Sequence, residues 1–237
     1  MNCENKHKVG EWLKELEQKD PVASLQRIAE LFPGKVKLGS SLGLEDQVIT
    51  HMIATEKIGI GIFTLDTGRM FQETYSLIDR TREKYGIPVE VVFPDSRDVE
   101  KMVNEHGANL FYESVKNRML CCRIRKTEPS RRVLKWLDAW VTGIRRAQGV
   151  TRTNLRKLEW DEEYCLVKVN PLIDWDLDAV WKYIKKNNIP YNPLHDKSYP
   201  SVGCLPCTRA VKEGEDIRSG RWWWEDPDKK ECGLHSH

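Results

Sequence analysis

Five cysteines of this chain stand where a thiol could do chemistry. Cys121 and Cys122 are neighbours, Cys204 and Cys207 enclose Leu205-Pro206, and Cys232 lies in Glu231-Cys232-Gly233-Leu234-His235. In a reducing compartment such thiols are metal ligands, catalytic groups or buried small hydrophobes, not a disulfide framework. Structural zinc usually draws each cysteine pair from a knuckle in which both sulfurs reach one ion. Adjacent residues do this poorly, because on a helix their side chains diverge by about 100°. A cubane presents separate irons, so the two pairs point to a [4Fe-4S] cluster held by Cys121, Cys122, Cys204 and Cys207. Two plainer readings stand beside it: Cys121 and Cys122 as packed hydrophobes, and Cys204 with Cys207 as a thioredoxin-like redox pair. The redox pair should open a helix after a strand, whereas this one follows Tyr199-Pro200-Ser201-Val202-Gly203, a loop setting. Cys232 has Lys229, Lys230 and His235 nearby, which favour the thiolate, the attacking form. Cys3 reads as incidental and Cys165 as buried.

Three loops carry groups suited to an anionic ligand. Ser40, Ser41 and Gly43 precede an expected helix that includes Asp46, so backbone N–H groups and hydroxyls could meet an anion at its N-terminus. The loop has no lysine and is not the usual P-loop; a simple tight turn is the plainer reading. Leu65-Asp66-Thr67-Gly68-Arg69 offers a hydroxyl at Thr67 and a guanidinium, with Asp66 open to reading as a helix cap. Gly143-Ile144-Arg145-Arg146 and Arg152 supply arginines whose planar forks suit phosphate or sulfate, unless they form a solvated basic face.

These loops need strands to hold them. Val9–Phe32 has the apolar spacing of two helices. Val36–Leu38, Ile58–Leu65 and Val89–Phe93 read as strands, alternating with helices over Glu45–Ala54 and Gln72–Tyr85. Leu134–Gly143 adds a strand after a short helix, Leu166–Val169 another, and Asp178–Asn187 a helix stopped by Pro190. Alternation of this kind implies an α/β fold with a parallel sheet and helices on both faces, ligands binding beyond the carboxyl ends of the strands. The expected organisation is one structural domain: a helical segment 1–34, a nucleotide-binding core 35–190, and a loop-rich segment 191–237.

With 237 residues and 40% hydrophobic content the chain can bury one sizeable core. Its 38 basic and 36 acidic residues leave a formal charge of +2, which argues against general nucleic-acid binding. No apolar run reaches the roughly 20 residues of a membrane span, and Met1–Lys8 lacks the apolar core of a signal peptide. A cytoplasmic protein is expected.

Taken together, these residues resemble the assimilatory sulfonucleotide reductases, specifically the bacterial iron-sulfur adenylylsulfate (APS) reductases of the adenine-nucleotide alpha-hydrolase-like (Rossmann-like) fold. The resemblance runs through nearly the whole chain after about Val36. It includes Leu65–Arg69 with Glu73-Thr74-Tyr75, Cys121-Cys122-Arg123-Ile124-Arg125-Lys126, Gly143–Arg146 and Arg152. It continues with Gly203-Cys204-Leu205-Pro206-Cys207-Thr208, Gly220-Arg221-Trp222-Trp223-Trp224-Glu225 and Glu231–His235.

The resemblance implies that the four paired cysteines bind a [4Fe-4S] cluster and that Cys232 is the nucleophile. It places the loop from Ser40 to Asp46, with Leu65, Gly143 and Arg152, around the adenosine and its phosphate. It places Lys126, Arg218, Arg221 and His235 around the sulfate. The implied reaction is thiol-dependent reduction of adenylylsulfate to sulfite and AMP through a cysteine S-sulfonate, with an external thioredoxin or glutaredoxin as reductant. The cluster cysteines favour APS over the 3'-phosphorylated substrate (PAPS), although some cluster-bearing members accept both.

Two other readings compete. One is an ATP-dependent adenylating or sulfur-transfer enzyme on the same scaffold, which should keep a Gly-Gly pair in its pyrophosphate loop. The other is a zinc-stapled binding module with Trp222, Trp223 and Trp224 as stacking platforms. Neither a membrane nor a nucleic acid is an expected partner, and a second copy of the chain, in a homo-oligomer, is a candidate one.

Overall fold

A computed structural model describes residues 3–148, 152 and 154–226. After a 3-10 turn the chain forms α1 (Val9–Leu16) and α2 (Pro21–Leu31). Asp20 caps α2 by accepting the Ala23 N–H at 2.9 Å, and Pro21 takes the first helical position, where a missing N–H costs nothing. Then follow β1 (Val36–Ser40), α3 (Leu44–Thr55), β2 (Gly61–Leu65), α4 (Gln72–Tyr85), β3 (Glu90–Val92), α5 (Ser96–His106), α6 (Val115–Cys122), a π-helical turn (Arg123–Thr127) and α7 (Glu128–Leu134). The order closes with β4 (Ala139–Val141), β5 (Leu158–Asp161), β6 (Leu166–Val169) and α8 (Leu177–Lys186).

The described strands form one sheet in the order β3-β2-β1-β4-β6-β5. β1 pairs in parallel with β2 and β4, and β4 in parallel with β6. β5 runs antiparallel to β6, with Leu158 opposite Val169, so the sheet is mostly and not wholly parallel. An antiparallel edge strand on an otherwise parallel sheet is common. The central β4 and β6 are buried along their whole length, as strands covered on both faces must be. Among the described residues no helix is long and apolar enough to cross a membrane.

The chain divides into two interleaved compact units. Unit 1 comprises residues 1–64, 76–90 and 133–192; unit 2 comprises residues 65–75, 91–132 and 193–237. In unit 1, Trp12 packs edge-on against Phe32 at 5.3 Å, and the ammonium of Lys157 donates to the carbonyls of Leu16, Glu17 and Lys19 at 2.8–3.1 Å. A cation at the C-terminal end of α1 satisfies carbonyls that the helix itself leaves bare. Cys165 proves half-exposed, not buried: it occupies the turn between β5 and β6 at φ +49°.

Unit 2 has a small core of Met102, Leu110, Phe111, Cys121, Cys207 and Trp222. Its described residues from 193 to 226 are mostly loop, as expected, with short 3-10 turns at Pro193–Lys197 and Leu205–Cys207 and a bridge between Thr208 and Arg221.

Candidate functional site

In unit 2 the chain brings both cysteine pairs to one pocket. Cys121 and Cys122 end α6, immediately before the π-helical turn that carries Arg125 and Lys126. Cys204 and Cys207 flank the 3-10 turn, where the Cys207 N–H donates to the Cys204 carbonyl at 2.9 Å. The four cysteines share about 380 Å³ of atom-free space, including its mouth, with Arg69, Arg118, Arg125, Lys126, Arg221 and Trp222. The Thr67 hydroxyl and the Cys204 thiol are hydrogen-bonded at 3.2 Å.

Burial pushes the Cys207 thiol up to about 12; the neighbouring Cys204 adds to this, and Lys126 and Arg221 offset it in part. Burial also raises Cys121, against the pull of Arg125. Thiolates are therefore costly here without a bound positive partner. Among the described residues no three His, Cys, Asp or Glu side chains gather closely enough to hold a single metal ion.

The donor set fits an anionic, thiolate-bound cluster. Its walls are cationic, and two buried donors, Arg125 Nε and Trp222 Nε1, have no protein acceptor among the described residues. Such N–H groups are suited to the sulfurs of a cluster.

Other predicted residues of unit 2 have defined places. Asp66 is no helix cap: its carboxylate accepts the Gly68 N–H at 2.7 Å and the Tyr75 hydroxyl at 2.9 Å. This Asx turn relies on Gly68 at φ +70°, which glycine adopts freely. Leu65 ends β2, and the buried Thr67 accepts an Arg125 N–H at its carbonyl at 2.6 Å. Arg69 donates to the Ala108 carbonyl at 2.8 Å and stacks 5.2 Å from Phe111. Arg221 is buried, donates to Ser201 Oγ at 3.3 Å and lies 4.9 Å from the Trp222 ring. Arg218 is partly exposed, and its backbone N–H donates to Asp216. Cys232 and His235 lie outside the described residues.

Unit 1 holds the other group. At the end of β1, Ser41 gives both its N–H and its hydroxyl to Asp46, at 2.6 and 2.7 Å. The Ser40 hydroxyl accepts the Leu42 N–H at 3.1 Å, and Gly43 is the N-cap of α3. Leu42 stands at φ +61°, a conformation that costs a non-glycine residue energy and recurs where backbone is shaped for a ligand. Burial raises the Asp46 carboxyl to about 6, despite the Ser41 hydrogen bonds.

Gly143, just after β4, packs so tightly on Asp46 and Glu45 that an added Cβ would overlap the Asp46 carboxylate. Arg145 is buried and already engaged: it donates to Glu45 at 2.7 Å and to the Trp175 carbonyl at 3.2 Å. Gln148 donates to the same Glu45 oxygen at 3.0 Å and accepts from Arg152. Sequence reasoning missed this Glu45-centred network. Glu45 beside Asp46, at the end of the Ser40–Gly43 loop, was its one visible trace.

A mostly parallel sheet with glycine- and serine-bearing loops after its strands is the class of fold that binds nucleotides at the strands' carboxyl ends. The FMN adenylyltransferase of Candida glabrata, solved with FAD and pyrophosphate, shares it at a TM-score of 0.53 and 16% identity, over 94% of this chain and 80% of its own; that likeness concerns the fold alone. A closer likeness is the crystal structure of phosphoadenylyl-sulfate (PAPS) reductase from Candida auris in a phosphate complex. Its TM-score is 0.74 at 28% identity, covering 87% of this chain and 97% of that one.

Residues 35–210 match the phosphoadenosine phosphosulfate reductase domain, and the chain belongs to that family. It is 54% identical over 201 residues to the adenosine 5'-phosphosulfate reductase of Burkholderia cepacia, spanning 85% of this chain and 80% of the relative.

Proposed function

We propose that this protein reduces adenylylsulfate to sulfite and AMP in assimilatory sulfate reduction, with Cys232 as nucleophile and a cytoplasmic thioredoxin or glutaredoxin as reductant. The observation that carries this reading is the meeting of Cys121, Cys122, Cys204 and Cys207 in one pocket walled by arginine and lysine. Relatives more than 45% identical bear the name adenosine 5'-phosphosulfate reductase.

The Cys232 thiolate attacks the sulfate sulfur. An S–S bond forms, the S–O bond to the phosphate breaks, and AMP leaves, with Cys232 S-sulfonated. Lys126, Arg218, Arg221 and His235 are the cations assigned to the sulfate oxygens, and fixed cations there stabilise the charge that builds in the transition state. Ser40, Ser41, Gly43, Asp46, Leu65, Thr67, Gly143 and Arg152 hold the adenosine and phosphate, while Arg145 sets the loop through Glu45.

A thiolate of the reductant then attacks Cys232 Sγ and expels sulfite, giving a mixed disulfide. The reductant's second thiol resolves it, leaving its own disulfide and a free Cys232 thiol, its proton passing to that thiol or to solvent. When bound to Cys121, Cys122, Cys204 and Cys207, a [4Fe-4S] cluster supplies a compact charge that orders the pocket and tunes Lys126; electrons come from the thiols.

The test is sulfite release from APS with thioredoxin present. APS should be turned over at least as well as PAPS. Absence of sulfite from either substrate, with ATP–pyrophosphate exchange in its place, would overturn the reading in favour of an adenylating enzyme.

A further inference from the structure

Unit 2 carries an exposed apolar patch that the chemistry above does not use. Tyr112 is 45% exposed, Leu205 52% and Trp223 39%. They are neighbours: the Tyr112 and Trp223 rings are 6.4 Å apart, and the Tyr112 hydroxyl donates to the Pro206 carbonyl, next to Leu205, at 2.9 Å. The patch is held from beneath, since Trp224 packs edge-on against Tyr112 at 4.5 Å and against Trp223 at 4.8 Å. Rigidly supported Trp and Tyr are the residues that most often dominate binding energy at protein interfaces.

We propose that Tyr112, Leu205 and Trp223 form the docking surface for the protein dithiol that reduces Cys232. The inference rests on the function proposed above and names where its second substrate lands. Cys232 follows Asp226 by six residues, so its sulfur stays within about 25 Å of that point however the chain runs. Trp223 is three residues before Asp226. A redox encounter covering about 600 Å² per partner has a footprint roughly 28 Å across. A reductant that brings its thiol to Cys232 therefore lands within chain reach of Trp223, and this patch offers apolar anchors there. A second copy of this chain is the competing occupant.

The experiment uses the full-length holoprotein with Leu205→Glu and Trp223→Glu, singly and together. Cys232 is charged in two ways, with SO3 from APS and with thionitrobenzoate, so that loss of the first charge alone would count against the proposed function and not against the patch. Release of either group is followed with thioredoxin and with dithiothreitol. The double variant should slow release by thioredoxin about 10- to 100-fold, mainly through KM. Release by dithiothreitol should change less than about twofold, and pocket absorbance should be retained. Unchanged release by thioredoxin would overturn the proposal, as would equal slowing with both reductants. So would conversion of a wild-type oligomer to a monomer by the double variant with unchanged release.

Discussion

Arg118 and Glu225 form a buried, two-pronged ion pair, Nε to Oε1 at 3.0 Å and Nη2 to Oε2 at 2.8 Å, with side chains only 1% and 3% exposed. The guanidinium also lies 4.6 Å from the Trp222 ring and is hydrogen-bonded to Cys122. The pair thus clamps the helix that ends in the adjacent cysteines to the segment that leads on to Cys232. Removing one member of such a pair leaves an uncompensated charge, at a cost of about 3–5 kcal/mol. Arg118→Met should lower the urea midpoint accordingly, and Arg118→Met with Glu225→Leu should recover most of the loss. Equal loss in single and double variants would mean that packing, not charge, holds the segment.

Replacement of Cys121, Cys122, Cys204 or Cys207 by serine should abolish bound iron and sulfite formation together. Anaerobically purified wild type should carry about four irons and four acid-labile sulfides per chain. An active, colourless protein with one zinc would refute the cluster assignment.

Cys232→Ser should retain iron and APS binding but form no sulfite, because the thiol serves chemistry and not the fold. Wild type given APS without reductant should gain one SO3 group on Cys232 by mass spectrometry. An adduct on Cys204 or Cys207 would reverse the assigned roles.

Gly143→Ala should push aside the Asp46 carboxylate and with it the Ser41 loop. AMP affinity, read by calorimetry, should fall at least tenfold, while the overall stability loss stays within the 1–3 kcal/mol of a local overpacking. Unchanged affinity would remove this loop from the nucleotide site.

Asp46 sets a pH dependence. Its carboxyl titrates near 6 in the fold because burial disfavours the charge, and near 3.8 when unfolded. Between these values the folded chain keeps a proton that the unfolded chain has lost. Stability should thus fall as pH rises from about 4 to about 6, by about 3 kcal/mol at 1.36 kcal/mol per pKa unit. Denaturant curves of wild type and Asp46→Asn should diverge across that window and run parallel above it. Parallel curves throughout would show that the carboxyl is not buried as described.

Elements whose pattern matched one structural period were legible in the sequence. The helix over Gln72–Tyr85 has the expected bounds, and Ile58–Leu65 contains β2. β5 was not legible, because Leu158-Glu159-Trp160-Asp161 buries its two ends and leaves the middle partly exposed. α5 was missed although Asp95 caps it, accepting the Arg97 and Asp98 N–H groups. The meeting of the cysteine pairs was foreseeable from their number and spacing. The employment of the arginines was not: Arg69 and Arg145 look alike as anion ligands, yet the fold gives the first to the Ala108 carbonyl and the second to Glu45. Charge is visible in a sequence; the partner that takes it is set by tertiary packing.

The interleaving of the two units gives the cysteine pocket the character of a cross-link. Cys122 and Cys204 are separated by about 80 residues, most of them belonging to unit 1. Any group that binds both pairs ties off that long loop. In the chain-entropy view, one such tie removes about 4.5 kcal/mol worth of freedom from the unfolded chain. Metal loading would then act as a fastener on unit 1, whose residues contribute no ligand to it. Stripping the iron should loosen amide protection in β4 and β6 as well as around the cysteines.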